Sequence, residues 1–441
     1  MRDYFENITK ELFKNTKNNE LLIINLDAEE SNFVRLNKGK IRQAGSVKQI
    51  SITLSLSNKD KRNLKSFVRL NGIYDRDIAT LLQTLNYLRR ELPDLPKDPY
   101  MMFSTSVHSS EISEDRCSAD DKEILEHIMI SAEKLDLVGI FSSGSIYTGL
   151  ANSLGQTNWH SNYSFSFDYS IYNKNNSAIK LNYSSKKWNK DDYDQILNKG
   201  IEKLHILSNP EKTITTGEYK VYLEPSALNE VIDMMAWGGF SYKSNKIGTS
   251  PLHLLHKKER ELSELISIDE NIRDGISANF NSDGFIKPQE INMITQGKFT
   301  ESLTSPRSSL EYSVVHNAAG SSEYPCSIDM SAGSIVDDKI LETIDNGIYI
   351  SNLWYLNFSD RNNGRMTGLT RFGCFLVENG KLTAPINTMR FDDSVYSMLG
   401  DNLIGLTSSR ELLIDSGTYE ERSTSSARLP GAIINNFKMT L

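Results

Sequence analysis

A chain of 441 residues is long enough to bury more than one core and favours two or three domains. With 38% hydrophobic residues, 24% charged residues and 11 prolines it reads as globular, which excludes disordered and fibrous classes. The net charge of −8 is spread along the chain without a basic stripe, which argues against binding nucleic acid by phosphate neutralisation.

The opening residues, MRDYFENITKELFKN, are charged, lack the apolar run of a signal peptide, and predict a short helix. Ile50, Ile52, Leu54 and Leu56 then alternate on one face of a strand. Ile78, Leu81, Leu82, Leu85 and Leu88 make a helical stripe over 75–91, which Pro93 and Pro96 end. Ile124, Leu125, Ile128 and Leu135 predict a second amphipathic helix over 119–135. Tyr163, Phe165, Phe167, Tyr169 and Ile171 alternate strictly as a strand, and the charged stretch 186–203 predicts another helix.

A polar segment, 210–217, precedes a strand around Tyr219, Val221 and Leu223. Beyond it the chain is richer in strands and turns. Asn379-Gly380 supplies the two positive-φ positions of a type I′ hairpin, and Asp283-Gly284 and Asn346-Gly347 are weaker turn signals. The pattern is α+β: a mixed N-terminal domain over 1–215 and a strand-rich C-terminal domain over 216–441. No stretch approaches the roughly 20 apolar residues that span a bilayer. Cys117, Cys326 and Cys374 are too few and scattered for a disulfide framework, so small buried thiols in a reducing cytoplasm are expected.

The common catalytic signatures are missing. The sequence holds no Gly-rich phosphate loop after a strand, no GxSxG elbow and no HExxH. His253-Leu-Leu-His256-Lys-Lys-Glu259 is the nearest metal pattern, since a helix would put His253 and His256 on one face with Glu259 a turn later. Lys257 and Lys258 would oppose a dication there. His316 stands alone after Ser-Val-Val, beside an apolar strand end, and reads as a packing residue.

From Gly217 onward the order of segments resembles the C-terminal region of the TldD/PmbA family. The segments are Gly217-Glu-Tyr-Lys-Val-Tyr-Leu-Glu-Pro225-Ser-Ala-Leu, Gly239-Phe-Ser, Gly248-Thr-Ser-Pro251, Ile266-Ser-Ile-Asp269, Phe280-Asn-Ser-Asp283-Gly284 and Ile294-Thr-Gln-Gly297. Gly347-Ile-Tyr-Ile, Asn363-Gly-Arg-Met-Thr367-Gly368 and the Glu378-Asn-Gly-Lys hairpin follow, and looser likeness runs upstream through Arg69-Leu-Asn-Gly72. The resemblance implies an α+β N-terminal domain and a C-terminal domain of antiparallel strands wrapping helices. In the family's catalytic branch a helix carries HExxxH, whose histidines bind zinc while the glutamate acts as general base, and a C-terminal cysteine completes the ligand set.

Laid on this chain, that motif falls on Asn229 and Glu230, with Met234 at the second histidine. A carboxamide and a thioether are poor zinc ligands, and the stretch from Ser423 to Gly431 has no cysteine. This departure resembles the PmbA, or TldE, branch, whose members pair with the catalytic subunit. It implies a non-catalytic chain with no zinc of its own, the zinc residing in a TldD-like partner. An extended peptide is the implied substrate of the assembly, which forms as a homo- or heterodimer. Gly238, Gly239, Gly364 and Gly368 are places where a peptide backbone would approach closely. Two other readings stay open: a metallopeptidase with zinc ligands relocated to His253, His256 and Glu259 or Glu230, and a standalone peptide-binding homodimer.

Overall fold

The computed structural model describes residues 1–114 and 120–441; Cys117 and Ala119 lie outside them. Helix α1 (Arg2–Lys14) buries Phe5, Ile8 and Leu12, a stripe at helical spacing. Helix α2 (Tyr74–Glu91) buries Leu81, Leu85 and Leu88, and gives way to a 3₁₀ turn at Leu92–Asp94 where Pro93 enters. Both stripes pack on Leu22, Ile24, Leu26, Ile52, Leu54 and Leu56 of the sheet beneath.

That sheet comprises β1 (Glu20–Asn37), β2 (Lys40–Asn58), β3 (Asn63–Leu70), β4 (Ser110–Glu114), β5 (Asp136–Asn152), β6 (Thr157–Tyr172) and β7 (Ala178–Ser185). Its order is β3-β2-β1-β5-β6-β4, with β7 also paired to β6. The aromatic face of β6 packs with helices α3 (Asp121–Ser131) and α4 (Lys190–Ile206). The helix expected over 119–135 is therefore shorter, capped by the Asp120 side chain on the Lys122 N–H at 3.0 Å. Leu135 lies beyond its end yet packs on the same cluster.

The second sheet holds β8 (Gly217–Leu223), β9 (Ile268–Asn271), β10 (Glu290–Thr295), β11 (Lys298–Phe299), β12 (Ser327–Met330), β13 (Gly347–Asp360), β14 (Arg365–Glu378), β15 (Lys381–Pro385), β16 (Arg390–Ser394), β17 (Leu403–Ile414) and β18 (Ser426–Met439). The order runs β11-β10-β9-β12-β18-β16-β14-β13-β8, and β18 also pairs with β8. That last pairing closes a ring of strands. The sheet is antiparallel except for β8 with β13 and β12 with β18, which run parallel. Helix α5 (Pro225–Ala236) packs on β13, β18 and β8. Proline opens it at a position that needs no N–H, and Leu228, Val231, Ile232 and Met235 form its fully buried stripe.

Local turn chemistry behaves as expected at Asn379 and Gly380, with φ of 53° and 70°, joining β14 to β15. At Asn346-Gly347 the left-handed residue is instead Asp345, with φ 57°, and Gly347 already belongs to β13. No strand precedes His316: Ser313, at φ 56°, ends the helix Pro306–Tyr312, and Val315 is 92% exposed. The His316 ring packs edge-on to Phe285 at 4.5 Å, and its Nδ1 accepts the Ala318 N–H.

The two sheets share one hydrophobic cluster. Phe141, Phe165 and Tyr169 of the first meet Tyr222, Tyr349, Phe375 and Ile433 of the second. A groove runs along this junction.

Candidate functional site

The polar face of α5 opens into a cavity of about 400 Å³. Asn229, Glu230 and Asp233 line it from the helix, Asp415 and Ser416 from the end of β17, and Ser425 and Ser426 from the start of β18. The sequence-derived motif positions Asn229 and Glu230 thus meet the C-terminal stretch that the family's cysteine would occupy. Met234 does not join them. It packs in the core at 9% exposure, about 140° round the helix from Asn229. The residue facing Asn229 is Asp233, one turn on, whose carboxylate accepts the Asn229 carboxamide N–H at 3.0 Å.

The site is electrostatically crowded. Asp233 remains open to solvent in the cavity, yet enclosure by the walls, with Glu230 and Asp415 nearby, pushes its carboxyl up to about 7. Enclosure also raises Glu230, partly opposed by Lys180. Tyr324, at the rim, is pushed up to about 12 by burial and by Asp233 and Asp415. The carboxamide oxygen of Asn229 has no hydrogen-bond partner among the described residues.

Lys180, Leu181 and Asn182 of β7 line the same cavity. Successive strand residues point to opposite faces, so three in a row border one cavity only along a strand edge. Among the described strands β7 is hydrogen-bonded to β6 alone, so its other edge has no strand paired to it. The same three residues and Ser226 also line an adjoining cavity of about 790 Å³, so the two are sections of one groove.

The other expected positions lie elsewhere. His253 and His256 form a helix of a single turn, His253–His256, and Lys258 turns left-handed at φ 59°, so Glu259 leaves the helix and is exposed. His256 donates from Nε2 to the Gly239 carbonyl at 3.3 Å and packs on Phe299, and burial pushes it down to about 4. His253, His256 and Glu259 do not group as a metal site among the described residues. Three of the four glycines, Gly239, Gly364 and Gly368, are internal. A Cβ at Gly239 would strike the Met235 carbonyl, one at Gly364 would meet Val395 and the Pro251 carbonyl, and one at Gly368 would meet Phe391 and Leu356. Gly238, at φ 84°, follows α5 and sits against Arg361 and Ser244. None of the four lines the groove. Cys374 is buried as expected, while Cys326 is partly buried with its thiol pushed up by burial.

Residues 216–441 match the family described as PmbA/TldA metallopeptidase C-terminal domain. The chain belongs to the PmbA/TldD metallopeptidase family. Its fold is similar to that of TldE from Thermococcus kodakarensis, at TM-score 0.79 and 14% identity over 99% of this chain and 100% of that one. A proposed modulator of DNA gyrase from Thermotoga maritima gives 0.74 at 14% identity, covering 100% of both chains. Another, from Bacteroides thetaiotaomicron, gives 0.75 at 16% identity over 100% of this chain and 98% of that one. No curated protein matches the chain.

A metallopeptidase family implies a metal, and the residues here do not fit one. Catalytic zinc is held by three protein ligands drawn from His, Cys and carboxylates, with at least one imidazole in each common set. The cavity offers no imidazole and no thiolate; Asn229 is engaged with Asp233, and Met234 faces away. Among the described residues no three His, Cys, Asp or Glu side chains group as a metal site. Among them, too, no helix is long and apolar enough to cross a membrane.

Proposed function

We propose that this chain is the non-catalytic, zinc-ligand-lacking subunit of a TldD/TldE-type peptidase assembly, contributing peptide binding and pairing with a TldD-like catalytic subunit. One observation carries the reading: a groove lies at the motif positions, which hold Asn229, the buried Met234 and a cysteine-free Ser425-Ser426. A metal-bound water has no holder there, so Glu230 has no proton to take by the family's mechanism. The edge of β7 with no paired strand supports a binding role. An extended peptide pairs its main chain with such an edge and fits many sequences. A gyrase-modulating role is no part of the proposal, because a net charge of −8 offers nothing for direct DNA contact.

The test is metal content by elemental analysis after growth with added zinc, with hydrolysis of an unfolded protein followed in parallel. The expected result is well under about a tenth of a zinc per chain, with hydrolysis only when a TldD-like subunit is added. About one zinc per chain, retained on dialysis, overturns the proposal. A homodimer that ignores the TldD-like subunit supports the standalone peptide binder instead.

A further inference from the structure

Residues 415–425, between β17 and β18, cross from the second sheet onto the first. The Asp415 N–H donates to the Ser425 carbonyl at 3.1 Å, so the ends of this strap meet and the rest forms a closed loop. Along one side Asp415, Ser416 and Ser425 line the groove beside α5. Along the other, Glu421, Arg422, Ser423 and Thr424 line a second cavity of about 230 Å³ with Asp27, Glu29 and Tyr147. The strap is the wall between the two.

Its anchor is a buried cation. Arg422 is 6% exposed, and its guanidinium donates to the Ser164 carbonyl and hydroxyl, both at 2.8 Å, to the Gly144 carbonyl at 3.1 Å and to the Ser31 hydroxyl at 3.3 Å. Ser31 lies opposite Gly144, and Gly144 opposite Ser164, so the socket is one row across β1, β5 and β6. Gly144 sits at φ 144°, and a Cβ there would strike the Glu30 carbonyl, which reserves the position for glycine. Among the described residues Arg422 has no ion-paired carboxylate; Glu29 and Asp121 act on it only through their field. The remaining anchors are single hydrogen bonds: Gln49 to the Glu420 carbonyl, Ser277 to the Thr424 carbonyl and Ser416 to Asp168.

A set of acceptors that spans a planar fork suits guanidinium and not ammonium, whose donors cannot bridge three strands from one atom. We infer that the Ser31–Gly144–Ser164 row is a guanidinium subsite, filled here by the chain's own Arg422, which an arginine side chain of an extended peptide takes over as the strap swings out. Displacement would join the two cavities into one channel beside β7. The inference rests on the peptide-binding reading above and adds its specificity.

The experiment compares wild type with Arg422→Ala, using N-acetyl-arginine methylamide and its lysine analogue as probes. Hydrogen exchange of residues 415–425 reports the strap, and calorimetry reports binding. In the variant, strap amides exchange faster by about tenfold or more, and the arginine probe binds roughly tenfold tighter than to wild type or than the lysine probe does. Equal binding of both probes, or of the arginine probe to both proteins, overturns the inference, as does unchanged strap exchange. Arg422→Met, which keeps most of the apolar stem and loses the fork, gives the same readout should the alanine variant not fold. The probes have no length to pair along β7. Their failure therefore leaves the peptide-binding reading intact, and failure of long peptides to bind leaves the socket result standing.

Discussion

Asn229 and Asp233 stand one turn apart on α5, joined by a 3.0 Å hydrogen bond from carboxamide to carboxylate, and both face the groove. Here Asp233 shares the groove with Asn229, whereas the Met234 side chain lies in the core. Asn229→His with Asp233→His should therefore bind zinc at micromolar levels, read by competition with a chelating dye. Asn229→His with Met234→His should not, and its buried imidazole should cost roughly 2 kcal/mol or more in denaturant unfolding. Neither variant should hydrolyse an unfolded substrate in a chelator-sensitive way. Such activity from the Met234 variant would refute the placement of that side chain in the core.

Asp233 should titrate near 7 by carbon NMR, and Glu230→Gln should lower its midpoint by removing a neighbouring charge. The folded state holds this proton more tightly than the unfolded chain. Ionisation therefore takes stability away as pH rises from the ordinary carboxylate range, about 4, through about 7. Asp233→Asn lacks this effect. The gap in Tm between variant and parent should be smallest near pH 4 and widest above pH 7.

His256 shows the opposite case. Its folded form holds a proton less readily than the unfolded chain, so stability should fall as pH drops from about 6.5 towards about 4. His256→Phe keeps a ring against Phe299 but removes one of the three donors to the Gly239 carbonyl, the Asn245 carboxamide and the Ser250 hydroxyl remaining. It should cost about 1 kcal/mol at neutral pH and flatten the acid limb of the unfolding profile.

Glu323 accepts from the Ser305 N–H and hydroxyl through Oε1, and from the Ser241 hydroxyl and Lys243 N–H through Oε2. One carboxylate thereby serves the starts of two short helices, Tyr242–Lys246 and Pro306–Tyr312. Burial opposes its charge, but these donors prevail and hold it below the usual carboxylate range. Glu323→Ala leaves four donors without acceptors and should cost about 3 kcal/mol or more by urea unfolding. A loss below about 1 kcal/mol would show that water replaces the carboxylate freely.

Legibility in the sequence follows the reach of each interaction. The stripe of α2 and the Asn379-Gly380 turn depend on residues within a turn or two, and both are readable. The aromatic face of β6 is equally plain, whereas Ser164 and Ser166 on its other face look solvated in the sequence and are buried in the fold. Ser164 holds Arg422, which reaches it from far along the chain, and Ser166 is bonded by Ser184 of the neighbouring strand. The break after His256 carries no glycine or proline to announce it, since Lys258 takes the left-handed turn. Asp233 could have been picked out by its i+4 spacing from Asn229; Asp415 and the β7 edge could not, because only the meeting of the two sheets brings them to α5.

The last strand, β18, lies in the interior of its sheet, bonded in turn to β8, β12, β16 and β17. Its contact with β8 links Ile434 to Val221, more than 200 residues earlier. During synthesis β8, which pairs with β13 on one side, must therefore wait with its other edge unpaired, and α5 with part of its apolar face uncovered, until β18 has left the ribosome. The order of synthesis thus leaves the elements that build the groove without their covering strand until late.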